Sequence, residues 1–164
     1  MSEIRFYHLE RSSLDQALPA ILSMAHSRGM RALIKCADQG LVDHLDDWLW
    51  RFQAESFLPH ASADSKQAKD NPIVLTTGDE NVNEATLLIV LNEAETPLIN
   101  DDAFELSCLI FDGRDENVVT HSRKQWLALK EDGRPLTYFQ QDENGKWGEK
   151  ASENKDADKK SASA

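Results

Sequence analysis

The sequence is poor in cysteine and glycine and lacks long apolar runs. Among its 164 residues are two cysteines and seven glycines, and no apolar run approaches the roughly 20 residues of a membrane span. The N-terminus lacks the basic region followed by an apolar region that marks a signal peptide. We therefore expect a cytoplasmic protein. Cys36 and Cys108 lie 72 positions apart without a C-x-x-C spacing. This spacing predicts two buried thiols rather than a disulfide or a metal site.

Phosphate-binding and metal-binding motifs are also missing. The scattered glycines form neither G-x-G-x-x-G nor G-x-x-x-x-G-K-[ST], the loops that hold phosphates. Residues 10–13, ERSS, follow the first predicted strand, where a doubly wound fold binds a pyrophosphate, and contain no glycine. The five histidines lack the paired spacing of metal ligands. We therefore expect no cofactor, no metal and no catalytic residue; the alternative is a small α/β enzyme with an unrecognised site near His60 or Asp79.

The charge is strongly acidic, with a net value of −11. Residues 143–164 hold five acids and five lysines, so the whole excess of acid lies in residues 1–142. Such a body is unsuited to a broad nucleic-acid surface, which needs clustered Lys and Arg. We expect one domain over 1–142 and a disordered, low-complexity tail over 143–164, because the tail has too few apolar residues to order itself.

Segments of strand and helix pattern alternate along the body. Strands are predicted at 4–9, 31–36, 72–77, 86–92, 108–111 and 136–141. Helices are predicted from the capping box at Ser13 to Gly29, over about 40–52, from about 101, and over about 115–132. Residues 60–71 are predicted to be a surface loop. Strands alternating with helices predict a three-layer α/β/α, Rossmann-like protein with a mostly parallel sheet.

The stretch 46–60, DDWLWRFQAESFLPH, concentrates aromatic residues near the end of the second helix. At 100° per residue, the apolar side chains of this helix, including Trp48 and Phe52, fall on one side. Trp50 falls on the opposite side, among acidic residues. An exposed aromatic followed by Phe57, Leu58 and Pro59 has the composition of an interface hot spot. Packing of the loop under the sheet is the alternative, and the residues alone do not decide between the two.

The window 117–130, NVVTHSRKQWLALK, contains no acid in a chain with 29 acids. A helical wheel places Val118, Ser122 and Leu129 on the buried side, Val119 and Trp126 at its margin, and Arg123 and Lys130 just beyond. An apolar rim beside cations suits a peptide that is both acidic and hydrophobic. An ordinary solvated helix face is the alternative.

Several motifs, in order and spacing, resemble the chi subunit of bacterial DNA polymerase III holoenzyme. They are FYHL near the start, the helix that ends in Trp50, ESFLPH at 55–60, and Arg123-x-x-Trp126 followed by a turn at Gly133. The resemblance covers about residues 1–142 and leaves the tail outside.

The resemblance implies a non-enzymatic replisome adaptor that is a monomer within a hetero-complex and reaches DNA and the nucleoid only indirectly. One surface would bind the acidic, phenylalanine-ending C-terminal tail of single-stranded DNA-binding protein (SSB), and the other the psi subunit or another clamp-loader component. By position, the implied tail-binding residues are Arg123, Trp126, Lys124, Lys130, Val119 and Tyr138. The implied partner surface is formed by Trp50, Phe57, Leu58 and Pro59.

Two departures from the family pattern remove positive charge from the expected groove. Leu127 stands where the pattern can carry a lysine, and Val119 occupies another position that can be basic. With fewer cations, the groove should hold an acidic tail more weakly or in a shifted pose. A further alternative is that the aromatic surface around Trp50 serves a repair helicase instead of the clamp loader.

Overall fold

A computed structural model describes residues 2–52 and 58–155. Within these ranges the chain forms eight strands and three α-helices. The strands are β1 (Glu3–Leu9), β2 (Ala32–Lys35), β3 (His60–Ser62), β4 (Ile73–Thr76), β5 (Leu87–Leu91), β6 (Leu106–Asp112), β7 (Leu136–Gln141) and β8 (Trp147–Glu153). The helices are α1 (Leu14–Ser27), α2 (Gln39–Arg51) and α3 (Glu116–Glu131).

The strands form one sheet in the order β3-β4-β2-β5-β6-β1-β7-β8. All neighbouring strands are parallel except β7 and β8, which are antiparallel. Helices α1 and α2 pack on one face and α3 on the other. The predicted α/β/α class with a mostly parallel sheet is confirmed.

Strand β1 shows how the sequence separates the two faces of the sheet. Successive side chains of a strand point to opposite faces. Ile4 and Phe6 belong to the core beneath α3, whereas Tyr7 and Leu9 contact the core beneath α1 and α2. Each strand therefore supplies residues to two separate surfaces of the molecule.

Helix boundaries follow the predicted local signals. Ser13 caps α1 in the expected capping box with Gln16, and Gly29 and Gly133 adopt positive φ angles of 72° and 75° after α1 and α3. Along the described residues, no helix is both long enough and apolar enough to cross a membrane.

The helix predicted from about residue 101 is wrong. A 3₁₀ helix, Pro97–Asn100, occurs earlier, and Asp101 is followed by a turn. The Asp101 carboxylate accepts a hydrogen bond from the backbone N–H of Ala103, at 2.9 Å. This local bond competes with helical hydrogen bonding. The predicted loop over 60–71 is also partly wrong, since β3 pairs with β4 there.

The disordered tail predicted from residue 143 is wrong for residues 147–153, which form β8. Its composition is polar, but β7 offers a free edge for backbone hydrogen bonds. In addition, the Trp147 ring packs edge-on against Tyr7, with ring centroids 5.2 Å apart. Asp142 accepts hydrogen bonds from the N–H groups of Asn144 and Lys146 and so closes the turn between the strands. Tertiary contacts thus order a segment whose composition favours disorder.

Candidate functional site

Helix α3 presents the faces that the wheel predicts. Val118, Ser122 and Leu129 are buried, which confirms the predicted inner side. Val119 and Trp126 are partly buried at the margin of the core beneath α3. Arg123 is exposed. The helix therefore projects a cation beside a half-buried indole.

An apolar groove lies between α3 and the strands β7 and β8. Its cavity measures about 320 Å³. We call it the α3 groove, and its lining residues are Arg123, Trp126, Leu127, Tyr138 and Ala151. Three of the six residues that the resemblance assigns to tail binding or its neighbourhood do not line it: Val119, Lys124 and Lys130.

Two rings hold Trp126 in place. Its ring lies edge-on to Phe6, with centroids 5.2 Å apart, and edge-on to Tyr138, at 5.6 Å. Phe6 and Tyr138 are register partners on the parallel strands β1 and β7. Edge-to-face contacts of this kind fix ring orientation. The apolar wall of the groove is consequently a preformed surface.

The Tyr138 hydroxyl is anchored behind the groove by His8. Nδ1 of His8 lies 2.5 Å from the hydroxyl oxygen. Burial raises the pKa of Tyr138 to about 12 and lowers the pKa of the nearly buried His8. The tyrosine therefore stays protonated and donates to the unprotonated Nδ1 of a neutral histidine.

The cations of α3 differ in their surroundings. Arg123 and Lys124 form no ion pair among the described residues. Nζ of Lys130, by contrast, lies 3.2 Å from a carboxylate oxygen of Glu153 on β8. Arg123 is thus the available cation of the groove, while Lys130 is partly neutralised.

Sequence reasoning missed several residues that shape the groove. Ala151 lines it from β8, a strand that the sequence assigned to the tail. Phe6 and His8 support Trp126 and Tyr138 from β1. The alternating pattern of FYHL places both on one face of a strand and is the signal that could have found them.

Trp50 points away from the core, as the wheel predicts, and is 52% exposed. Its ring lies 4.4 Å, centroid to centroid, from that of His60 at the start of β3. Leu58 is buried and Pro59 is half-buried, so the two offer different amounts of surface. Phe57 lies outside the described residues.

The residues of the enzyme alternative make internal contacts. The buried His60 ring places Nδ1 2.7 Å from the carbonyl oxygen of Leu58 and Nε2 3.0 Å from that of Asp46. The buried ammonium of Lys35 donates to the carboxylate of Asp79, at 3.0 Å, and to the carbonyl oxygen of Thr77, at 2.6 Å. The Lys35 bond lowers the pKa of Asp79 and so keeps it ionised. Lys35 thus orders the loop that holds Asp79 after β4, whereas His60 connects the start of β3 to helix α2.

The loop after β1 is filled by a side chain of the protein itself. The Oε1 atom of Gln141 accepts hydrogen bonds from the backbone N–H groups of Glu10, Arg11 and Ser12, at 3.1, 2.9 and 3.1 Å. In nucleotide-binding folds, the corresponding N–H groups bind a phosphate. Here a neutral amide oxygen satisfies them. No group of three or more potential metal ligands occurs in the part of the chain that the structure describes.

Fold and surface together define a Rossmann-like α/β protein whose first βα loop is closed by glutamine and whose surface carries an apolar, arginine-bearing groove. More narrowly, the chain belongs to the family described as DNA polymerase III chi subunit, HolC, whose model matches residues 1–137. Members are subunits of DNA polymerase III, as their name states. Strand β8 lies beyond the matched residues.

Two relatives carry the same subunit name. The chain is 30% identical over 94 residues to "DNA polymerase III subunit chi" of Pseudomonas aeruginosa, a match covering 56% of this chain and 65% of the relative. It is 22% identical over 95 residues to "Probable DNA polymerase III subunit chi" of Rickettsia prowazekii, covering 58% of each. The chain thus spans less than two thirds of either relative's length.

Proposed function

We propose that this chain is a non-catalytic replisome adaptor that links the C-terminal tail of SSB to the DNA polymerase III clamp loader in the cytoplasm. The α3 groove carries the proposal. It combines an exposed guanidinium, Arg123, with a preformed apolar wall of Trp126 and Tyr138. A terminal phenylalanine has a carboxylate that can pair with Arg123 and a ring that can pack against the apolar wall.

The charge of the chain makes this groove selective for a short peptide. The net charge of −11 repels extended polyanions, whereas the window 117–130 contains no acid. One exposed arginine can pair with a terminal carboxylate but is too small a footprint for duplex DNA. The protein would therefore reach DNA through SSB.

The absence of catalysis is part of the proposal. Its support is that Gln141 fills the first βα loop and that His60 and Asp79 are engaged with neighbouring backbone or side chains. Turnover of any nucleotide by the purified chain would contradict it.

Titration with a synthetic acidic peptide that ends in phenylalanine tests the groove. Arg123→Ala and Trp126→Ala should each weaken binding by about 1–3 kcal/mol, because one removes a charge-assisted hydrogen bond and the other an aromatic anchor. The same peptide with a terminal amide should lose the dependence on Arg123. Arg114→Ala is a matched control, since Arg114 is exposed but pairs with Asp112 outside the groove. Wild-type affinity in both groove variants would refute the assignment.

The second proposed surface is centred on the exposed Trp50 and includes Pro59, Leu58 and Phe57. An indole that is 52% exposed and packs on the ring of His60, the residue after Pro59, offers rigid apolar area to a partner such as the psi subunit. Trp50→Ala should abolish capture of the clamp-loader partner while the SSB peptide still binds. Loss of both activities would indicate misfolding, and retention of both would refute this surface.

A further inference from the structure

A second apolar cleft, the α1 cleft, lies on the sheet face opposite the α3 groove. Its volume is about 300 Å³. Tyr7, Phe139 and Trp147 form its wall on β1, β7 and β8, and Met24 of α1 borders it. Met24 is 55% exposed, although it lies beside the core. Helix α1 thus leaves part of this face of the sheet uncovered.

The aromatic wall of the α1 cleft is preformed. The rings of Tyr7 and Phe139, which are register partners, stack with centroids 5.1 Å apart and an interplanar angle of 11°. Trp147 closes the stack edge-on. Flat aromatic walls beside a flexible methionine accept ligand rings or alkyl chains of several shapes.

Two arginines, Arg5 and Arg28, line the same cleft. The Nη2 atom of Arg5 lies 3.2 Å from the Glu3 carboxylate, but its Nε donor is buried and has no hydrogen-bond partner. Arg28 is exposed and forms no ion pair among the described residues. The nearby strand β8 carries Glu149, whose carboxylate faces Lys155 at 3.4 Å. One uncompensated positive charge and one unused donor therefore remain.

We infer that the α1 cleft binds a small apolar monocarboxylate, with its ring or short alkyl chain against Tyr7 and Phe139 and its carboxylate at Arg5 and Arg28. The Arg5 side chain is 36% exposed, so its outer guanidinium nitrogens reach a carboxylate in the cleft although Nε is covered. Arg28, which also lines the cleft, supplies the second positive charge.

Size and charge favour a small molecule over a protein segment. Small-molecule sites occupy about 300–1,000 Å³, and this cleft lies at the lower limit of that range. A stable protein partner buries roughly 800 Å² on each side. The bordering edge strand β8 carries Glu149 and Lys150, and charged edges disfavour pairing with an extended peptide.

Titration of the full chain with 3-phenylpropionate, followed by NMR, tests the inference. We expect saturable shifts of the Trp147 indole N–H and the Met24 methyl group. Arg28→Ala should weaken binding about tenfold, since a charge-assisted contact is lost. The uncharged 3-phenylpropanamide should bind at least about tenfold more weakly for the same reason.

The α3 groove provides the matched control. Trp126→Ala should leave the Trp147 shifts unchanged, whereas Phe139→Ala should remove them. No shift at millimolar ligand, shifts confined to the Trp126 indole, or equal binding of acid and amide would each overturn the inference. So would tighter binding of N-acetyl-phenylalanyl peptides than of the free acid, because the cleft would then be a peptide site. None of these outcomes would refute the assignment of the α3 groove, which the SSB peptide titration tests separately.

Discussion

The α3 groove and the α1 cleft lie on opposite faces of the same two strands, β1 and β7. On one face the register pair Phe6 and Tyr138 supports Trp126, and on the other the pair Tyr7 and Phe139 contacts Trp147. Arg123 of the groove forms no ion pair among the described residues, whereas Arg5 of the cleft pairs with Glu3. Neighbouring residues of one strand thus contribute to two sites whose cations have different surroundings.

The difference comes from the covering helices. Helix α3 brings an acid-free window with Arg123 to its face, and α1 brings Met24 and the exposed Arg28 to the other. Strand β8 contributes to both faces, with Ala151 in the groove and Trp147 in the cleft. A register irregularity between β7 and β8 lies between these two contributions.

Gly113→Ala is expected to have the largest effect. It should impair the α3 groove but leave the α1 cleft intact. A Cβ atom at this position would lie 2.0 Å from the His8 ring and 2.6 Å from the carbonyl oxygen of Leu9. Overpacking should lower the free energy of unfolding by about 2 kcal/mol. Displacement of His8 should also weaken SSB-peptide binding through Tyr138, while 3-phenylpropionate binding at the α1 cleft persists.

Urea denaturation and the two titrations measure these effects, with Gly148→Ala as control. A Cβ atom at Gly148 meets no heavy atom within 4 Å, so stability should change by less than about 0.5 kcal/mol. Equal losses in the two variants would show that backbone freedom, rather than the contact with His8, matters at Gly113.

His8, behind the α3 groove, should make the stability of the protein depend on pH. This effect should be smaller than that of Gly113→Ala. Burial lowers the pKa of His8, so the unfolded chain binds more protons near and below the unfolded histidine pKa. This contribution to stability is present above about pH 6.5 and is lost as the pH falls. Protonation of Nδ1 also removes the acceptor of the Tyr138 hydroxyl.

Thermal unfolding at about pH 7.5 and about pH 5.5 tests this expectation. The groups that face His8 are Glu10, Asp112, Arg123 and Tyr138. The variant His8→Asn keeps an acceptor near the Nδ1 position and does not titrate, so its melting temperature should fall less between the two pH values. An unchanged pH response in this variant would assign the effect to other groups.

The smallest expected effect concerns β8. Glu153→Gln removes the partner of Lys130, which lies one turn after Trp126, and should strengthen binding of the acidic peptide by about 0.5 kcal/mol. Glu149→Gln makes the same change of charge opposite Phe139, on the other face. Calorimetry should show the gain in the first variant alone. Equal gains would indicate a general effect of net charge.

Local sequence patterns predicted which side of a helix or strand is buried, because helices and strands have fixed periods. The buried side of α3 and the outward direction of Trp50 follow from 3.6 residues per turn, and both are confirmed. The roles proposed for Arg123 and Trp126 in binding remain predictions. Their proximity to Tyr138 required knowledge that β7 pairs with β1, which no local pattern supplies.

The sequence by itself determined the α/β class, the capped helices, the acidic body and the lack of a glycine-rich phosphate loop. Only the tertiary structure decided that Gln141 closes that loop, that β8 is ordered, and that two apolar clefts share β1 and β7. The physical reason is that these features depend on contacts between residues distant in sequence. Composition and periodicity describe a segment alone, whereas the edge of β7 and the ring of Tyr7 give β8 its order.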